Sequence, residues 1–350
     1  MIINFVMSSY VESIIFKHII KYFKIYSRFQ IIQTLRPIEN ANVYYYFRPH
    51  LEKKLKENSI VTVHHDLNDK DEKLKLETFI ARYQEAKLVV CLNSIQQKIL
   101  NERGIYHTII IPHGYNHHIL KSYKKTINRK VVLGFFSNFY PRLVKGEDCL
   151  IRLSQELSPK DFEFILVGNK RKKLASHLKK NGFKCQVYEH IPYFLFSRLY
   201  RMIDALLITS KFEGGPASLP ESLATATPVI TTKVGMASDL LDIKGLLFFS
   251  GDIEKDIITL NLLKKNIEKM SNELSLTAKQ KLITWEKVVT LYDKEFIKVS
   301  IKKEISFMDK IQNLYMQISY KLYTFYLKKR IKVFFLGTID TLKLIIHSVL

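Results

Sequence analysis

Cysteine is scarce: Cys91, Cys149 and Cys185 stand far apart, with no Cys-x-x-Cys spacing, in a chain of 350 residues. A disulfide framework and a thiolate zinc site both need paired or closely spaced cysteines, so both are excluded, and a reducing compartment is expected. No run reaches the roughly 18 apolar residues of a spanning helix. The opening segment, Met1 to Val6, has no basic residue and is followed by Ser8 and Ser9, which is not the pattern of a secretory leader. The expectation is a cytoplasmic protein, peripheral at most on the inner face of a membrane. Also missing are Gly-x4-Gly-Lys-Ser/Thr and Gly-x-Gly-x-x-Gly, the spacings by which a P-loop or an ordinary dinucleotide site cradles phosphate. Kinase and dehydrogenase readings lose their support. Acidic residues are few, 33 against 55 Lys and Arg, leaving a formal charge of +22. That excess implies an anionic partner: nucleic acid, a phosphorylated ligand or a membrane surface. No stacking-aromatic motif of an RNA-binding module accompanies it, which makes nucleic acid the weakest of the three.

What is present is an ordinary globular composition, 47% hydrophobic and 25% charged, long enough for two domains of about 150 residues. Short apolar runs alternate with helical segments, the pattern of parallel α/β units. In the first half, Ile2 to Val6, Ile60 to Val63, Leu88 to Leu92 and Thr108 to Ile111 read as strands, and Asn93 to Glu102 as a helix. Asn42 to Tyr46 is an aromatic strand candidate, either core or part of a binding wall; the rest of residues 1–58 reads as mostly helical. A second series follows: Val131 to Phe136, Phe162 to Gly168, Val187-Tyr188, Ala205 to Ile208 and Pro228 to Thr231. Between the two, the polar stretch Lys121 to Lys130 reads as a linker. From about Asp293 onward the pattern is helical and rich in Lys and Tyr, with Ile311, Tyr315, Ile318, Leu322 and Phe325 three or four apart. A break at Gly337 precedes Ile339, Leu342, Ile346 and Val349 at similar spacing. The expected domains are 1–126, 127–290 and a basic amphipathic helical extension, 291–350, packed back on the domains or lying on a membrane.

The most informative segment is Ser210 to Glu221, SKFEGGPASLPE. It follows a buried strand, turns on Gly214 and Gly215, and places Pro216 where a helix would begin. The first-turn N–H groups of Ala217, Ser218 and Leu219, with the helix dipole, would then hold a diphosphate. Glu213 and Glu221 flank that anion, where a carboxylate is tolerated if it accepts hydrogen bonds from neutral hydroxyls. Two glutamates beside a phosphate pocket therefore suggest sugar and ribose hydroxyls as partners.

With Glu-x7-Glu in this setting, the segment resembles the donor site of family 4 retaining glycosyltransferases. Pro112-His113-Gly114-Tyr115-Asn116 resembles the family's Pro-His/Asn-Gly-Val-Asp segment, and Thr62-Val63-His64 its Thr-Phe-His segment. Gly134 to Asn138 with Lys145-Gly146-Glu147 resembles the Gly-Arg…Lys-Gly loop, and Ile165 to Gly168 the strand after it; together these motifs span roughly residues 60 to 250. The resemblance implies two Rossmann-like doubly wound domains facing a central cleft, the GT-B architecture. It implies a metal-independent hexosyltransferase that uses a nucleotide-diphosphate sugar as co-substrate, without a further cofactor. Glu213 would lie against the transferred sugar, with His64 facing it from the first domain. Glu221 would bind the ribose, and Lys145 with the Ala217 to Leu219 amides the diphosphate. The family's arginine after the first strand is missing: Asn138, Phe139 and Tyr140 stand there. Arg142 is either a substitute or a solvated loop residue.

Other clusters have plainer readings. His64-His65-Asp66 cannot readily chelate one ion, because neighbours on an extended strand point to opposite faces. Asp69-Lys70-Asp71 lies in a charged run read as an exposed loop, and Lys170 to Lys180 reads first as the solvated face of a helix. The expected partners are a nucleotide sugar and a glycan or lipid-linked acceptor of cell-surface polysaccharide, lipopolysaccharide or glycolipid synthesis, with an anionic membrane surface nearby. A nucleotide-sugar hydrolase or epimerase of the same architecture, and a non-catalytic basic scaffold, remain as alternatives.

Overall fold

The structure is a computed structural model and describes residues 1–9, 13–125, 129–301 and 307–330. Among the described residues it divides into two compact units, one built from Met1–His113 with residues 285–330, the other from Gly114–Thr284. Each carries a six-stranded sheet whose strand pairs are all parallel.

In the first unit the strands are β1 (Ile2–Val6), β2 (Gln30–Thr34), β3 (Val43–Tyr46), β4 (Ser59–Thr62), β5 (Leu88–Cys91) and β6 (Thr108–Ile110), in spatial order β2-β1-β3-β4-β5-β6. Helices α1 (Ile14–Tyr26), α2 (Leu76–Glu85) and α3 (Ser94–Glu102) make crossovers. β2 lies where the sequence reads as helical: Gln-Ile-Ile-Gln-Thr occupies the sheet edge, is only partly buried, and so lacks the continuous apolar run of a central strand. Tyr44, Tyr45 and Tyr46 belong to the core, with Tyr45 donating to or accepting from Thr62 Oγ1 at 2.7 Å.

The second unit orders its strands β12-β11-β10-β7-β8-β9. They are β7 (Val131–Phe136), β8 (Phe162–Val167), β9 (Cys185–Tyr188), β10 (Ala205–Ile208), β11 (Val229–Thr231) and β12 (Leu246–Phe248). Its helices are α4 (Glu147–Glu156), α5 (Lys172–Lys180), α6 (Phe196–Met202), α7 (Ser218–Ala224) and α8 (Ile253–Lys281). The core joins Leu133, Phe135, Phe162, Phe164, Leu207 and Leu263. Strand order reverses between β7 and β10, and such a switch point opens a crevice at the carboxyl ends of the strands.

The stretch read as a linker packs on this unit as far as it is described; residues 126–128 lie outside the described residues. Lys125 is buried, its Nζ donating to the carbonyls of Tyr200 at 2.7 Å and Ile203 at 2.6 Å, at the end of α6. Helix C-termini leave carbonyls that a cation satisfies. Burial lowers the Lys125 pKa to about 8.

Two further helices follow, α9 (Trp285–Val299) and α10 (Phe307–Arg330). α9 packs on the first unit: Trp285 stacks on Tyr22 with ring centroids 4.9 Å apart, and Asp293 accepts from Ser27 Oγ at 2.7 Å and Arg28 N at 3.0 Å. Gly337 and the repeat through Val349 lie outside the described residues. Among the described residues no helix is long and apolar enough to cross a membrane.

Candidate functional site

Lys145 and residues 213–217 sit on the loops that follow β7 and β10, the neighbours at the switch point, and residues 218–221 form the start of α7. Hydrogen bonds zip the two loops together. Thr209 Oγ1 donates to the carbonyls of Lys145 (2.8 Å) and Gly146 (3.0 Å), and Lys211 N donates to Val144 O (2.8 Å). The contact is close enough to require glycine: at Gly146, with φ +75°, an added Cβ would stand 1.9 Å from Thr209 O.

Held this way, Lys145 Nζ donates to Glu213 Oε1, which also accepts from Ser210 Oγ at 3.0 Å. The two side chains are 17% and 15% exposed, and the Tyr140 ring lies 5.4 Å from the ammonium. A cation beside an acceptor carboxylate suits a ligand that carries both negative charge and hydroxyl groups.

The helix start differs from the sequence expectation. α7 begins at Ser218 with Ala217 as its N-cap, so Pro216 precedes the helix rather than opening it. Leu219 N donates to Pro216 O at 3.0 Å, a tight lead-in turn that shifts the start by two residues and uses the Leu219 donor. The proline inside the first turn is Pro220, tolerated because no intrahelical acceptor exists there. The amides of the N-cap Ala217 and of Ser218 stand at the head of the helix.

Glu221, 7% exposed, accepts from Tyr193 OH at 2.6 Å and from Tyr200 OH at 2.9 Å. Burial holds its carboxyl up to about 7, against the opposing pull of both hydroxyls. Neither tyrosine is predictable from local spacing, since both come from the segment before β10. The sign of the pH effect follows. The unfolded chain releases this proton near 4.5 while the folded protein keeps it to about 7, so stability falls as pH rises through that window. Glu221→Gln is expected to melt with wild type below pH 4.5 and above it beyond pH 7, the gap reaching roughly 3 kcal/mol. Melting temperatures of the two proteins across that window check it; a constant gap rules out the protonated carboxyl.

The remaining expected residues are placed differently. Asn138 Oδ1 accepts from Asn169 N at 2.9 Å, a brace between loops. Arg142 is exposed in the turn before Lys145. His64 lies in the other unit, its ring between Phe16 (centroids 4.8 Å) and Phe47 (6.1 Å, parallel). Both its ring nitrogens are buried without a protein partner among the described residues. Burial first, then His113, His65 and Arg48, hold its pKa well below the usual range, so the imidazole is neutral. Among the described residues no three His, Cys, Asp or Glu side chains are grouped to hold a metal ion.

The reading of Lys170 to Lys180 as a solvated face fails at its second residue. Arg171 is fully buried: Nη1 donates to Glu147 Oε1 (2.7 Å), Nε to Ser137 O (2.6 Å), and Nη2 to Ser137 Oγ and Asn138 O (2.7 Å each). Its guanidinium lies over the Phe135 ring at 4.8 Å. It precedes α5 rather than lying on it, which is why the helical spacing of the basic run misplaces it. The loop after β7 thus takes its shape from a buried arginine absent from the expected set.

Residues 119–281 match the model of the family described as "Glycosyl transferases group 1". No curated protein matches the chain by sequence. Solved structures match its fold. HepE of Anabaena, crystallised with UDP and glucose, has TM-score 0.65 at 15% identity over 85% of this chain and 100% of that one. Sucrose-phosphate synthase from Thermosynechococcus elongatus has TM-score 0.68 at 12% identity over 85% and 98%. WaaB, a lipopolysaccharide outer core galactosyltransferase, has TM-score 0.58 at 12% identity over 84% and 100%. The fold is GT-B, with two Rossmann-like domains and a helical C-terminal extension.

Proposed function

We propose that this protein is a retaining, metal-independent glycosyltransferase that moves a hexosyl group from a nucleotide-diphosphate sugar to a glycan or lipid-linked acceptor in cell-surface polysaccharide or glycolipid synthesis. The observation that carries the reading is the Lys145–Glu213 pair at the switch point of the second sheet, inside the stretch that matches the glycosyltransferase family model. The UDP bound to HepE supports a nucleotide-linked donor.

In this reading the bond between the sugar's anomeric carbon and the diphosphate oxygen breaks as the bond to the acceptor hydroxyl's oxygen forms, and the acceptor's proton passes to the departing diphosphate. Negative charge grows on the departing diphosphate, and Lys145 with the Ala217 and Ser218 amides meets it there. Preorganised donors aimed at developing charge supply the largest share of such rate enhancements. Glu213 positions the sugar hydroxyls, and Glu221, with Tyr193 and Tyr200 around it, takes the ribose. His64 acts on the sugar as a neutral hydrogen-bonding group, and Arg142 contributes to the diphosphate. The domain assignment is an acceptor-side first domain and a donor-side second domain. The +22 charge supports a setting at an anionic membrane surface in the cytoplasm.

The experiment is ligand-observed NMR with UDP, GDP, ADP and their sugars, on wild type and Glu221→Ala. Selective binding of one nucleotide sugar, weakened in the variant, is the expected result; wild-type protein that binds none of them overturns the reading.

A further inference from the structure

We propose that the face shared by α1 and α10 is a docking surface for an anionic lipid bilayer. The inference deepens the membrane setting proposed above and rests on it for its biological role.

α10 lies along the edge strand β2. Its inner side is committed: Tyr320 OH accepts from Gln33 Nε2 at 2.8 Å, Asp309 accepts from Asn40 Nδ2 at 3.0 Å, Asn313 is buried and Met316 packs on the core. The other side carries Ile311, Leu314, Tyr315, Ile318 and Leu322, each 46–69% exposed. Single exposed apolar residues are ordinary, but five at three- and four-residue spacing make a continuous stripe, which marks an interaction surface.

Charge decides what covers it. α1 has no acidic residue, and Lys17, Lys21 and Lys24 recur on one exposed face. Lys24 donates to Gln33 Oε1 at 3.2 Å, the same glutamine that reaches Tyr320, so the lysine row and the helix with the apolar stripe meet over β2. The field is positive there: Lys21 and Lys17 add to burial in lowering the His18 pKa, and Lys321 adds to burial in lowering that of Lys24. The three lysines also line a groove of about 260 Å³ with Ile20, Ile25 and Gln33. A second copy meeting this face across a two-fold axis would set lysines against lysines. An anionic bilayer complements both features, taking the apolar stripe and tyrosine at its interface and the lysines at its headgroups.

The test is flotation of the full-length protein with phosphatidylcholine vesicles, with and without phosphatidylglycerol. Three proteins are compared: wild type, Lys17→Gln/Lys21→Gln/Lys24→Gln, and Ile311→Ser/Ile318→Ser/Leu322→Ser. All the changed side chains are exposed, and melting curves verify folding. Wild type is expected on phosphatidylglycerol vesicles, less so as salt rises. The glutamine variant is expected to lose about fivefold per lysine, on the order of 100-fold in all, and the serine variant to detach as well. No binding by wild type, equal binding by the glutamine variant, or a stripe-dependent dimer in solution overturns the proposal. Nucleotide-sugar binding is measured on the same preparations. Donor binding without vesicle binding removes the docking surface alone, whereas vesicle binding without donor binding keeps it and removes the transferase reading.

Discussion

Lys145→Ala is expected to lower kcat/KM for the nucleotide sugar by about two to three orders of magnitude, the cost of removing one preorganised donor to a developing anion. The loss belongs to the chemical step and to donor binding, not to folding. The pair with Glu213 is 17% and 15% exposed, which lets water reach the carboxylate once the ammonium is gone, so the stability cost should fall short of the roughly 3–5 kcal/mol of a fully buried pair. Glu213 also keeps the Ser210 hydroxyl at 3.0 Å when the lysine is gone. The melting temperature should therefore fall modestly, with the protein still folded, while turnover collapses. Steady-state rates with varied donor, beside a melting curve, separate the two; full activity in Lys145→Ala refutes the assignment of the cation to the leaving diphosphate.

Arg171→Met is expected to destabilise the second unit by about 3–5 kcal/mol, because breaking a buried ion pair strands the partner charge. Glu147 is itself buried, and its Oε2 has no protein partner among the described residues, so losing Arg171 leaves a carboxylate held by neither oxygen. Ser137 O, Ser137 Oγ and Asn138 O lose their shared donor in the same change. Arg171→Lys should recover little, since one ammonium cannot reproduce a planar fork with four partners. Adding Glu147→Leu to Arg171→Met should restore part of the loss by removing the stranded charge. Denaturant melts of the three variants test this. A single variant within 1 kcal/mol of wild type contradicts the brace, as does a double variant less stable than the single.

The legible parts of this molecule share one property: their signal lies within a single element. Central parallel strands such as β7 and β10 are buried on both faces and read as apolar runs. The edge strand β2, Gln-Ile-Ile-Gln-Thr, carries no such run and stayed hidden, and β12 spans only three residues, too short a run to stand out. The Glu213 to Glu221 spacing and the Lys145-Gly146 turn are likewise local. Even so, the start of α7 moved by two residues, because the Leu219 to Pro216 turn was a choice between two tight geometries that composition leaves open.

What no local pattern carries is which distant side chains meet. The placement of β10 beside β7 puts Glu213 on Lys145, 68 residues earlier. Arg171 reads as one more cation in a basic run until the return from β8 buries it against Glu147, and its desolvation is then met by four hydrogen-bond partners at once. Glu221 reads as an ordinary ionised carboxylate until tertiary burial raises its pKa, against the hydrogen bonds it accepts from Tyr193 and Tyr200. Residue order decided the alternation of strands and helices and the residue types available to a phosphate-and-hydroxyl site, because periodicity and turn chemistry act over a few neighbours. Tertiary structure alone decided pairing, burial and protonation, because these depend on dielectric and distance between segments that only sheet order brings together.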